Sequence, residues 1–300
     1  MMGPNTAGAL VGADPLRDFG DVAYEPEFLL LPHPSEDAAK PADTIFSVEF
    51  DGLCRSLRAI AEGDVPQVPP AESPEQLFWF RWITGHQVSF ILWHLTGRLL
   101  NGLPEPAGLS RMERYTYGYC AMLLYTGSCP RHVYETLIRP SMYLQHPGFS
   151  GTWAPDFGPV RSLFRGRHRP GGAGLEAAIE LHRTIHDGVA AKLVPDGRSL
   201  LQRSLKETTI HRSEIAGVIY DDYFMTRRAA VDIGEVTEQL LRRLRAVALD
   251  VVTNGLYPMR DTGAEEIPEE LGRAEVGECE RNLLDTLLRV GVLAANLLEE

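Results

Sequence analysis

Cysteine is scarce in this 300-residue chain, and the little there is has no pattern. Cys54, Cys120, Cys129 and Cys279 show no CxxC spacing, which argues against a disulfide framework and fits a reducing cytoplasm. Positive charge is also short. The net charge is −12 and the pI about 5.3. Nucleic acid is therefore excluded as the main partner, because counterion release needs a basic surface. There is no long apolar run. The most hydrophobic stretch, residues 77–100, is broken by Arg81, His86, Gln87, His94 and Arg98, and reads as a buried helix, not a membrane span. The opening MMGPNTAGALVGADPLRDF lacks a basic n-region and a sustained apolar h-region, so a secretory signal is not expected. Signature loops are absent too: no Walker A loop, no GxGxxG opening a helix after a strand, no GxSxG elbow.

What is present is helix punctuation. Residues 1–42 are rich in Pro, Gly and Ala, carry little periodicity and read as an irregular arm. A helical domain is expected over 43–300, with enough apolar residues to enclose a cofactor. Its first helix spans about 43–62 and ends at Gly63, before the proline-rich connector DVPQVPPAES. Ser73-Pro74-Glu75-Gln76 then supplies a cap, a proline at the first helical position and a capping-box glutamine, opening a helix that runs to about Leu100. Ser110 and Glu113 suggest another box ahead of a helix to about Tyr125. Pro130 opens the next helix, and Pro140 should kink or end it. Residues 140–174, dense in Gly, Pro and aromatics, predict a long ordered loop, a kind that is usually functional. Further helices are expected at about 174–193, 206–229, 232–253 and 276–299, with Asp232 and Glu235 capping the third. No β alternation and no internal repeat stand out, so the fold class is all-α: a single helical domain enclosing a cofactor.

Two histidine sites can carry chemistry. In LHRTIHDGVAAK, His182 and His186 complete an apolar stripe with Leu175, Ala178, Ile179, Ile185, Val189 and Leu193, so both imidazoles are expected to face the core. Three readings stand: hydrogen-bonded core histidines, a metal pair, or a heme iron ligand. The glutamate of a zinc HExxH helix is missing. On the 74–100 helix, His86 lies among Trp79, Trp82, Phe90 and Trp93, as a satisfied core histidine or as an acid–base group over an aromatic pocket. His146 and His168 read as structural or surface groups. His211 is the one serious rival as an iron ligand.

Taken together, these residues resemble a family. FRWITGHQVSFILWHL is similar to the distal helix of the histidine-ligated heme-dependent aromatic oxygenases, in which a His-Gln pair precedes a tryptophan, here His86-Gln87 and Trp93. RPSMYLQHPGFSGTWAPDFGPVRSLFRGR, residues 139–167, resembles the bacterial heme-dependent L-tyrosine 3-hydroxylases that make L-DOPA for antibiotic-type natural products. The resemblance implies a helical heme enzyme that oxidises L-tyrosine with H2O2, or with O2 and an external reductant. It implies His86 as the catalytic residue and His182 as the axial ligand, with His186 the second choice. In a related branch acting on 3-methyltyrosine, an HxxxC motif gives the ligand and a thioether. Here His186 stands at the cysteine position, so non-covalent heme b is expected. The second ring nitrogen of His182 should donate to a carbonyl or carboxylate. Arg165 and Arg167 are candidates for the heme propionates, and Arg139 and Arg161 for the substrate carboxylate, since guanidinium pairs well with carboxylate. Phe149 and Trp153 are candidate pocket walls. An assembly of identical chains is compatible with the sequence. The competing functions are an indole-opening heme dioxygenase, a non-heme metal enzyme built on His182 and His186, and a helical binding protein.

Overall fold

The computed structural model describes residues 24–34, 47–102, 105–194, 214–259 and 267–296. The fold is all-α. Its helices are α1 (Ser47–Ala61), α2 (Pro74–Asn101), α3 (Pro106–Gly127), α4 (Arg131–Val133), α5 (Arg139–Gln145), α6 (Phe157–Phe164), α7 (Ala173–Leu193), α8 (Glu214–Tyr223), α9 (Ile233–Asn254), α10 (Ala274–Arg281) and α11 (Leu283–Asn296). Most of the expected arm over 1–42, and His211, lie outside the described residues.

Helix α2 is the axis of the molecule. Ser73 caps it as the spacing predicts, its hydroxyl accepting from the Gln76 amide at 3.1 Å. Both of its faces are buried from Leu77 to Gly97. It packs on α3, α6 and α9, and α3 in turn packs on α7. Glycine permits the tight approaches: a Cβ at Gly85 of α2 would lie 2.5 Å from Thr126 of α3, and one at Gly127 would lie 2.6 Å from Val189 of α7.

A charged knot ties α2 to α3 and α9. All five N–H groups of the fully buried Arg81 guanidinium are used. They go to Asp250 twice (2.8 and 3.0 Å), Ser128 Oγ (2.9 Å) and the carbonyls of Leu256 (2.7 Å) and Gly255 (2.7 Å). The Tyr125 hydroxyl donates to the same Asp250 at 2.6 Å. Removing one partner strands a buried charge, so Asp250→Ala is expected to cost about 3–5 kcal/mol, read as a drop in the denaturation midpoint.

Several local expectations are corrected. Helix α3 begins at Pro106, not at the Ser110 box, because proline at the first position needs no N–H partner. Pro140 does not stop its helix. A π turn, Tyr134–Ile138, precedes it, and the Arg139 N–H reaches back five residues to the Tyr134 carbonyl. The wider turn absorbs the hydrogen bond that proline cannot make, so α5 continues to Gln145. The predicted loop over 140–174 is therefore partly helical, in α5 and α6, joined by a 3₁₀ turn at Gly151–Trp153. The predicted helix over 206–229 ends as α8 at Tyr223. Strand β2 (Thr226–Arg228) follows, paired in parallel with β1 (Leu29–Leu31). The 276–299 prediction resolves into two helices, α10 and α11. The Asp232–Glu235 capping box of α9 is present in both directions.

Candidate heme and substrate site

The three-helix stack α2–α3–α7 encloses a cavity of about 880 Å3, toward the upper end of the range for ligand sites. Trp93, Tyr119, Leu123, Phe157 and Phe164 make its apolar wall. His86 enters from α2 and His182 from α7. A chain of rings links the two: His86 to Phe90 at 6.3 Å, Phe90 to Trp93 at 5.5 Å, Trp93 to Tyr119 at 5.2 Å and Tyr119 to His182 at 4.8 Å.

His182 is only 6% exposed, and neither ring nitrogen has a hydrogen-bond partner among the described residues. The carbonyl or carboxylate expected to accept from the second ring nitrogen is thus not found among the described residues. In the middle of α7 its neighbours are rings, not carbonyls: Tyr119 stacks on it and Phe164 is tilted against it. Burial, then the neighbouring His186 and Arg183, push its pKa down to about 3, so the imidazole is neutral. A buried, neutral imidazole with bare nitrogens is costly unless something outside the chain engages it.

His186 differs. Four residues advance an α-helix by about 400°, a 40° offset from exact alignment. That turns His186 out to the cavity mouth, where its side chain is 57% exposed and contacts Asp187 at 3.2 Å. The expectation that both imidazoles face the core holds for His182 only. Their ring centroids lie 6.0 Å apart. Among the described residues no group of three His, Cys, Asp or Glu side chains could hold a metal ion. The arrangement fits a group that carries its own equatorial donors and needs one imidazole, as heme does.

Arg165 and Arg167 line the same cavity, and so does Arg183, which the sequence reading missed. The Arg183 guanidinium lies against Gly166, where a Cβ would come within 2.4 Å of it, and also pairs with Glu180 at 2.7 Å. Three guanidinium groups beside an apolar cavity suit an anionic group with an apolar body. The available signal for Arg183 was its place next to His182.

Beside the main cavity lies a hollow of about 210 Å3, lined by Arg139, Met142, Tyr134, Phe149 and Phe224. His86, Ser150, Gly151 and Tyr220 line both spaces, so the two meet at His86. The π turn and α5 carry Tyr134, Arg139 and Met142 to this hollow. Tyr220 is a second residue that sequence reasoning missed. Trp153 is buried against Phe149 and His146, and neither it nor Arg161 on α6 lines either space. His146 accepts from the Gly148 amide at 2.9 Å, and His168 is exposed.

His86 has a defined tautomer. Its Nδ1 lies 2.7 Å from the Trp82 carbonyl, which can only accept, so Nδ1 carries the hydrogen and Nε2 keeps a free lone pair. Burial pushes its pKa down to about 4, against a smaller opposing effect of that hydrogen bond. The ring is fixed between Trp82 at 4.3 Å and Phe224 at 4.5 Å.

No helix among the described residues is long and apolar enough to cross a membrane. No curated protein matches the chain. Residues 35–179, just under half of the chain, match the family described as SfmD 3-methyl-L-tyrosine peroxygenase, a span that includes His86 and Arg139 and ends just before His182. This match, over a helical fold, is consistent with a heme-dependent, tyrosine hydroxylase-like family.

Proposed function

We propose that the chain hydroxylates L-tyrosine at C3, giving L-DOPA, with heme b as cofactor and H2O2 as oxidant. The balance is simple: one peroxide oxygen enters the C3–H bond as hydroxyl and the other leaves as water. The observation that carries the reading is the junction at His86, where a bare imidazole nitrogen serves both a heme-sized cavity and a side hollow containing an arginine.

His182 is the iron ligand in this reading, since its nitrogens are buried and unpartnered while His186 is exposed. Arg165, Arg167 and Arg183 hold the propionates. Because His186 replaces the cysteine of an HxxxC motif, no thioether can form at that position, which supports heme b. Bound heme supplies the redox centre that activates the oxidant. Arg139 meets the substrate carboxylate in the side hollow, and Phe149 packs on the ring.

His86 orients the phenol. A phenol has a pKa near 10, and the His86 ring titrates near 4, so full proton transfer in the resting complex is strongly uphill. Nε2 therefore accepts a hydrogen bond from the phenol O–H, raising electron density at the ortho carbon. It takes the proton only as the ring loses electrons and its acidity rises.

A second reading keeps the site and changes the ring: the family matched by residues 35–179 is described by 3-methyl-L-tyrosine. Incubating heme-loaded protein with L-tyrosine, 3-methyl-L-tyrosine or L-tryptophan, plus H2O2 or O2 with ascorbate, separates the possibilities. L-DOPA from L-tyrosine is expected. Catechol from the methylated substrate alone would move the assignment to the second reading. A kynurenine-type product without catechol would overturn both.

A further inference from the structure

The His-Gln pair of α2 does not act as a pair. Gln87 turns away from the cavity and is fully buried. Its amide nitrogen donates to the Glu27 carbonyl at 2.8 Å and to the Phe224 carbonyl at 2.9 Å, and its oxygen accepts from Arg243 Nε at 2.9 Å. Both N–H groups and the carbonyl of the amide are thus used. Arg243, also buried, reaches on to the Phe28 carbonyl at 3.0 Å. Phe224 is the ring stacked on His86, with an interplanar angle of 21°. The next residue, Met225, has φ of 52°, a left-handed conformation rarely adopted by non-glycine residues, and its carbonyl accepts from Leu29 N–H at 2.9 Å. Strained backbone persists where its surroundings over-determine it.

We infer that Gln87 is a positioning residue: its amide locks the Phe224–Met225 knuckle, and with it the segment 27–29, so that the Phe224 ring stays stacked over one face of the partly exposed His86 ring. The segment near the start of the chain is thereby coupled to the seam of the site. The inference rests on His86 being the working residue there, but its geometry stands apart from any turnover.

That cover is readable as the titration of His86. Other ionisable groups facing the shared spaces are Tyr134 and Arg139 from the π turn and α5, Tyr119 from α3, Arg165 and Arg167 from the end of α6, Tyr220 from α8 and His182, Arg183, His186 and Asp187 from α7. Burial, not these charges, is what lowers the basicity of the ring. Deuterium exchange at the imidazole C2 position, followed by mass spectrometry on the intact heme-loaded protein, reports each histidine separately. Wild type is expected to inflect near pH 4. Gln87→Met removes both donors at similar volume and is expected to raise the inflection by about one pH unit or more, toward the solvated value. Phe224→Leu should do the same. Gln87→Asn, too short to span both carbonyls, supplies the same reading if the methionine variant does not fold. An inflection unmoved in the Gln87 variants but raised in Phe224→Leu would overturn the inference, as would no movement in any of them. The exchange needs no turnover, so a failed hydroxylation assay leaves this test decisive.

Discussion

His182→Ala is expected to yield a folded protein that no longer shows a Soret band after heme addition. The substitution removes two buried nitrogens that no described residue engages, so no protein hydrogen bond is lost. Alanine is the best helix former, so α7 should persist. The usual penalty for a large-to-small change is reduced because the side chain borders a cavity and not only packed core. The loss should therefore fall on cofactor affinity, with the melting temperature of the heme-free protein close to wild type. His186→Ala is the control. Its ring is mostly exposed and has a carboxylate neighbour, so the Soret band should survive with a small change in affinity. A wild-type spectrum in His182→Ala, or loss of the band only in His186→Ala, would reverse the assignment of the two histidines.

The second large effect is expected at His86. His86→Ala should retain heme and lose hydroxylation by about 10²–10⁴-fold, the usual range for a positioned proton-transfer group. The pH dependence follows from the sign of the shift. Burial lowers the His86 pKa to about 4, so the ring is neutral and its Nε2 lone pair available throughout the neutral range. Turnover should hold steady from neutral pH down to about pH 5, then fall as the ring protonates near pH 4. A solvated histidine would place that fall near 6.5. Full activity in His86→Ala would remove this residue from the chemistry, and an acid limb near 6.5 would show that the ring titrates as a solvated imidazole.

Much of this was legible in the chain. Ser73, Pro74 and Gln76 mark the start of α2, and Asp232 with Glu235 marks the start of α9, because capping is decided within four residues. His86 and His182 stood out as polar groups on apolar faces. Less was legible where an outcome depends on distant partners. The exposure of His186 turns on a 40° drift and on where the cavity opens. Pro140 read as a kink or an end because periodicity carries no sign of a π turn. Gln87 read as a companion of His86, yet its partners are backbone carbonyls of residues 27 and 224, which no local pattern announces. Tyr220 was missed for the same reason: its neighbours in the site come from other helices, whereas Arg183 sits beside His182 on α7 and was passed over.

The small parallel ribbon has a consequence in time. Leu29 pairs with Thr226, nearly two hundred residues later, so β1 has no strand to join until that later stretch has been synthesised. At about 5–20 residues per second, that delay is on the order of 10–40 seconds. Until then the Gln87 amide lacks the Phe224 carbonyl, and Arg243, which reaches the Phe28 carbonyl, is translated later still. β1 is thus translated well before it can settle, and the wall beside His86 closes only once β2 arrives.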